Sequence, residues 1–193
     1  MKILNIKHED GVLGFSIKDA SVQFANALRR TAISQVPVFA IDSVTFYENS
    51  SSLFDEYIAN RLALIPLKTA EGYKKDEVVL LSLDVEGPGT IYSKELKSSD
   101  SKIRVANNKI PVIKLLADQR LRLEAKARLG TAREHAKFQP GLVSYSINPK
   151  DRSIINFKVE SFGNLPPSDI IAKSAEILEE KCEEFEKLLA DLK

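Results

Sequence analysis

The feature that most constrains this 193-residue chain lies at its C-terminal end. Ile171, Ala175, Leu178, Cys182, Phe185, Leu189 and Leu192 recur at spacings of 4, 3, 4, 3, 4 and 3 residues, which is the repeat of an apolar seam along a helix. Ile170, Ile177 and Leu188 widen the seam, and Glu176, Glu179, Glu180, Lys181, Glu183, Glu184 and Lys187 fill the opposite face. Pro166-Pro167-Ser168-Asp169 is a stiff entry with helix-start residues, so one helix is predicted from there to Lys193. At 1.5 Å per residue it is roughly 35 Å long, about the diameter of a small domain. Two readings stay open on pattern alone: a long core helix packed on its own sheet, or a helix whose apolar width is completed by a neighbouring chain. The second is energetically reasonable. Burying a Leu or Phe contributes about 1.5–3 kcal/mol, so a handful of them can offset an association cost of about 4–15 kcal/mol.

The rest of the sequence must provide the body on which this helix sits. A composition of 44% hydrophobic and 28% charged residues suits a folded chain with one good core or two small linked ones. Lys and Arg number 28 against 27 Asp and Glu, which leaves no global field to draw in nucleic acid or an anionic membrane. Cys182 is the single cysteine and His8 and His135 are the two histidines, too few for a disulfide framework or a structural zinc site. No apolar run approaches the ~20 residues of a membrane span, and Met1 to Asp10 lacks a signal-peptide core. The expected home is the cytoplasm.

Residues up to Lys18 alternate loosely around Gly11 and Gly14 and read as two short strands joined by a turn, with Phe15 and Ile17 on one face. From Ser21 the apolar period lengthens: Val22, Ala25, Leu28, Ala32 and Ile33 predict a helix that stops before Val36-Pro37. Val44 and Phe46 alternate with Ser43, Thr45 and Tyr47, predicting a strand that ends in Glu48-Asn49-Ser50-Ser51. Ser52 and Asp55 have the form of a capping box, opening a second helix with an apolar stripe of Phe54, Tyr57, Ile58, Leu62 and Ile65 up to Pro66. Between Lys68 and Asp118 the chain reads as β-rich. Arg120 to Leu129 is the clearest strand, with Leu121, Leu123, Ala125, Ala127 and Leu129 alternating against Arg120, Arg122, Glu124, Lys126 and Arg128. Residues 114–137 hold seven Lys or Arg against three acids, so the wet face of that strand is either a nucleic-acid patch or a solvated, protein-binding one. A polar stretch from Gly130 to Gly141 leads to two further strands, Val143 to Ile147 and Ile155 to Val159, joined by Asn148-Pro149-Lys150-Asp151.

No catalytic pattern emerges. Gly11-Val12-Leu13-Gly14 lacks the spacing of a phosphate-cradling loop, and no serine elbow is present. The acids form no Asp-x-Asp cluster for magnesium, and His135 lies among Arg133, Glu134 and Lys137 with no nucleophile beside it in the sequence. Cys182, inside the apolar seam, reads as a small buried hydrophobe rather than a nucleophile.

Several strings resemble the D subunit of archaeal RNA polymerase, a relative of the bacterial alpha N-terminal domain and of the third-largest subunit of eukaryotic polymerase II. They are Phe24-Ala25-Asn26-Ala27-Leu28-Arg29-Arg30-Thr31; Val36 to Asp42; Phe46 to Ser51 followed by Leu53 to Leu67; Gly87-Pro88-Gly89-Thr90-Ile91-Tyr92-Ser93; and His135-Ala136-Lys137-Phe138-Gln139-Pro140. Their order along the chain makes the resemblance specific.

The resemblance implies an α+β fold in two parts. Residues 1–37 and 142–193 would form a dimerisation domain of antiparallel strands and two helices, and 38–141 an inserted β-rich domain. It also implies a non-catalytic assembly subunit that pairs through the terminal helix with the small L subunit and docks the second-largest subunit, in company with small zinc-bearing subunits. There would be no membrane and no direct sequence-specific nucleic-acid contact. Large-subunit contacts carry over to Asn26, Arg29, Arg30, Arg61, His135, Lys137 and Gln139. Arg29 and Arg30 lie about 100° apart around a helix, so both cannot face one point. Many relatives hold a cysteine-rich iron–sulfur segment between the two strands that Asn148 to Asp151 joins here; with no cysteine there, no cofactor is expected. Asn60 and Phe138 stand where relatives often show His and Trp.

Overall fold

The computed structural model describes residues 1–9, 11–74 and 76–190. In chain order the elements are β1 (Lys2–Glu9), β2 (Val12–Lys18), α1 (Val22–Ser34), β3 (Val38–Asn49), α2 (Asp55–Ala63), β4 (Val78–Glu86), β5 (Gly89–Tyr92), β6 (Lys97–Ser98), β7 (Pro111–Leu115), β8 (Arg120–Gly130), β9 (Gly141–Ile147), β10 (Ile154–Ser161) and α3 (Pro167–Ala190). Single 3-10 turns occur at Ser93–Glu95 and Ala136–Phe138. The fold is α+β with antiparallel pairing throughout the named strands. Two compact units emerge: Met1–Val36 with Thr131–Arg133 and Gln139–Lys193, and Pro37–Gly130 with Glu134–Phe138.

In the first unit the sheet order is β1-β2-β10-β9. Gly11, at φ +78°, turns β1 into β2 in a conformation that costs little without a Cβ. Period-two alternation buries Leu13, Phe15 and Ile17 of β2 beside Ile155, Phe157 and Val159 of β10. Phe15 and Phe157 are directly opposite in register and their rings stack at 5.0 Å. Against this layer α1 presents Ala25, Leu28 and Ala32. Its first turn is capped by Ser21, whose Oγ accepts the Phe24 N–H at 3.1 Å. Asn148 and Asp151 close the β9–β10 turn by accepting backbone N–H groups from Lys150 at 2.9 Å and Ser153 at 3.0 Å.

In the second unit one sheet runs β3-β8-β4-β6 and a separate hairpin pairs β5 with β7. The alternation read in β8 holds: Leu121, Leu123, Ala125 and Ala127 are buried among Phe39, Ile41, Leu81 and Leu83, while the charged residues between them remain half-buried or exposed. Three expectations need correction. β3 starts at Val38, ahead of the alternating stretch, because Val38 to Ile41 are all buried and carry no period-two signal. The Ser52 capping box does not form: α2 begins after Phe54 with no side-chain cap, and Asp55 instead accepts from Asn49 Nδ2 at 2.7 Å. The α2 stripe divides, since Ile58, Leu62 and Ile65 enter the core while Phe54 is 81% and Tyr57 53% exposed.

Candidate protein-binding surfaces

In the first unit α3 begins as an ordinary packed helix. Ile170 and Ser174 are fully buried, and Ile171, Ile177 and Leu178 are half-buried. From Glu179 onward every described residue is exposed. The seam therefore runs out of cover: Phe185 is 62%, Leu188 59% and Leu189 42% exposed, and Ala175 and Cys182 also face solvent. The expectation that Cys182 is a buried hydrophobe fails in the chain by itself. Leu192 lies outside the described residues. Beside the first half of α3 an open apolar groove is lined by Ile3, Ile6, Leu13, Phe15, Ile171 and Ala175, and Ile3 and Ile6 are each more than half exposed. Exposed apolar side chains grouped in this way are what a protein-binding surface requires.

The seven residues expected to contact a large subunit are distributed over both units. In the first unit Asn26 accepts from Arg29 Nη2 at 3.0 Å, so this half-buried arginine is partly tied to its own helix while Arg30, on the next position, is exposed. Gln139 donates from Nε2 to the Gly141 carbonyl at 3.0 Å. In the second unit Arg61 spends its guanidinium on two backbone carbonyls, Val112 at 2.8 Å and Pro111 at 2.6 Å, and so fixes the start of β7 against α2. His135 is exposed, and Lys137 is not: its side chain retains 10% exposure and ion-pairs with Asp42 at 2.8 Å.

Asp42 is the functional-looking residue that sequence reading passed over. Register shifts between Ile41 and Ser43 where β3 meets β8, and the resulting β-bulge re-aims the intervening side chain. Its carboxylate takes Arg128 Nε at 2.9 Å in addition to Lys137, and these two hydrogen bonds hold it below the ordinary aspartate value. Arg128 continues to Glu134 at 2.9 Å. Arg128 and Lys137 also lie 5.0 and 5.2 Å from the centre of the Phe138 ring, within cation–π range. Phe138 itself is fully buried over Gly130, where a Cβ would come within 2.7 Å of the ring. The one sequence signal was that Asp42 closes the Val36-to-Asp42 string; nothing local showed the bulge. A second feature missed by pattern is the exposure of Leu64, at 59%, on the same helical flank as Phe54 and Tyr57.

The charged face of β8 is largely internally neutralised. Arg120 engages Asp84 at 3.0 Å, with Glu48 and Glu86 at 3.8 and 3.5 Å. Arg122 reaches Asp84 at 3.9 Å and lies over the Tyr47 ring at 5.5 Å, and Arg128 is held as described above. Such pairing leaves little uncompensated charge for phosphates. Among the described residues no group of three or more His, Cys, Asp or Glu is placed to hold a metal ion, and no helix is long and apolar enough to cross a membrane.

Known proteins carry the same arrangement of sequence. Residues 14–182 match the RNA polymerase Rpb3/Rpb11 dimerisation domain. Proteins named DNA-directed RNA polymerase subunit Rpo3 are similar over most of the chain. The one from Thermococcus kodakarensis is 53% identical over 138 residues, covering 68% of this chain and 53% of the relative. That from Pyrococcus furiosus is 50% identical over 146 residues, 72% and 56% respectively. That from Methanocaldococcus jannaschii is 42% identical over 171 residues, 89% and 86%. The chain thus spans a little over half the length of the first two relatives, at 53% and 56%, and most of the third. An α+β chain whose terminal seam lies open, matched from Gly14 to Cys182 by one domain family and similar at 42–53% identity to three archaeal relatives, belongs to the RNA polymerase Rpb3/Rpb11 dimerisation-domain family.

Proposed function

We propose that this protein is a non-catalytic assembly subunit of an archaeal RNA polymerase, acting in the cytoplasm without a cofactor of its own. In this reading residues 1–37 and 142–193 form the part that pairs with a small L-type subunit, and 38–141 the part that docks the second-largest subunit and its small zinc-bearing neighbours. The observation that carries the reading is the uncovered seam of α3, with Phe185, Leu188 and Leu189 presented to water. A partner helix carrying a matching stripe would bury these side chains, each contributing about 1.5–3 kcal/mol, and would bring Cys182 into an apolar environment.

The test is co-expression with the L-type subunit of the same organism. Replacing Leu178 and Phe185 together by Asp places unpaired carboxylates in the seam and should abolish co-purification, because an isolated charge cannot be buried there. Unchanged co-elution of the double variant on a sizing column would refute the seam as the pairing surface. The competing reading, a nucleic-acid binder using Arg120, Arg122, Lys126, Arg128, Arg133 and Lys137, is weakened by the internal pairing of Arg120, Arg128 and Lys137. It requires affinity for DNA or RNA that falls steeply with salt, whereas the assembly subunit should show no appreciable binding even at low salt.

A further inference from the structure

The turn at residues 134–138 is held far more firmly than its length requires. Three separate attachments pin it within the second unit: Phe138 buried over Gly130, Glu134 on Arg128 at 2.9 Å, and Lys137 on Asp42 at 2.8 Å. Inside the turn the Phe138 N–H donates to the His135 carbonyl at 3.0 Å, and the Lys137 N–H donates to His135 Nδ1 at 3.0 Å. The turn leaves Glu134, His135 and Ala136 exposed, and of these Glu134 is tied to Arg128. The bond to Nδ1 has a chemical consequence. A neutral imidazole carries one proton, and a ring nitrogen that accepts a backbone N–H cannot bear it, so the proton resides on Nε2.

We propose that His135 is a fixed-tautomer hydrogen-bond donor, its Nε2–H presented by the clamped turn to an acceptor oxygen, carbonyl or carboxylate, on a protein partner. Asp42, Arg128 and Lys137 are then positioning residues, which removes Lys137 from the set of direct contacts. The inference rests on the docking role proposed above and specifies what the partner must offer. A protein acceptor is favoured over a phosphate because Arg128 and Lys137, the cations that hold the turn, are already committed to Asp42 and Glu134, which leaves the exposed Arg133 as a single cation close to His135 in the sequence rather than a basic cluster.

Two arms test this. In a 15N-labelled sample of the full chain, long-range 1H–15N correlations of the imidazole should show His135 in the Nε2–H form; an Nδ1–H form would overturn the proposal. The second arm measures affinity for the second-largest subunit of the same organism, with the L-type subunit present. His135→Gln places an amide N–H near the position of Nε2, whereas His135→Asn keeps an acceptor for the Lys137 N–H in an Asx turn but cannot reach outward. H135Q should bind within about threefold of the parent, and H135N should weaken binding by about tenfold or more, the loss expected when a partner's buried acceptor goes unmet. The reverse order, or equal binding by both variants, would overturn the donor role. Asp42→Asn and Lys137→Met should each weaken binding and mix the His135 tautomers, a signature that simple loss of a Lys137 contact would not produce. If H135N instead weakens salt-sensitive binding of an RNA oligonucleotide, the acceptor is a phosphate and the proposal fails. Failure of the parent chain to bind the large subunit would remove the docking role, and with it the partner's acceptor, while the tautomer arm still decides whether the donor is fixed.

Discussion

The apolar stripes of α2 and α3 look alike as sequence, yet the core-facing side of the first and the far half of the second behave oppositely as structure. In α2, Ile58 and Leu62 are completely buried beneath the sheet of the second unit. In the far half of α3, Phe185 and Leu189 repeat at the same helical spacing and remain 62% and 42% exposed. Periodicity shows that a helix has an apolar face; whether the same chain supplies the cover depends on how much sheet lies within reach. The 9 residues of α2 lie within the width of their sheet, whereas the 24 residues of α3 outrun theirs.

The largest expected effect tests this contrast directly. Leu62→Ala opens a cavity in a closed core and should destabilise the isolated chain by about 2–5 kcal/mol, while Phe185→Ala should change it by about 0.5 kcal/mol or less. Denaturant unfolding followed by circular dichroism, with hydrogen exchange to locate the loss, would measure both. If Phe185→Ala proved as costly as Leu62→Ala in the chain alone, the seam would already be covered and the contrast would disappear.

A smaller effect sharpens the same comparison at the helix starts. Ser21 caps α1 through its Oγ, so Ser21→Ala should cost about 1 kcal/mol. Ser52, which has the spacing of a cap in the sequence, makes none, and Ser52→Ala should leave stability unchanged within about 0.5 kcal/mol. Equal losses in the two variants would show that the capping box forms after all.

These cases show what the sequence could and could not convey. β8 was readable because one face is wet, and so were α1 and the β9–β10 pair, where turn residues and period agree. The first half of β3 was not, since a strand buried on both faces carries no alternation. The bulge at Asp42 then shifts the phase, so Val44 and Phe46 appear to start a strand that is already six residues long. Of the candidate contacts, the seam residues could be read as a set because they share one helix. The Asp42 cluster could not, because Asp42 and Lys137 are 95 positions apart and meet only when β3 pairs with β8. The resemblance carries contact roles to Arg61 and Lys137, and in the chain by itself Arg61 bonds the Val112 and Pro111 carbonyls while Lys137 pairs with Asp42.

The smallest expected effect concerns that cluster and its charge. Arg128 and Lys137 hold the Asp42 carboxyl below its ordinary value of 3.8, so the folded chain binds a proton there less readily than the unfolded chain does. Stability from this group is therefore fully present above about pH 4 and is lost as pH falls through the lowered value. Asp42 retains 37% side-chain exposure, and solvent screening limits the contribution to the range of exposed pairs, about 0.2–1 kcal/mol. In Asp42→Asn the stability curve between about pH 2 and 5 should be shallower than in the parent, with the difference between the two proteins greatest at neutral pH and shrinking with acid. A difference that instead grew as pH fell would mean that the carboxyl is protonated more readily in the folded chain, and the cluster would then be a strained site rather than the clamp that holds the His135 turn.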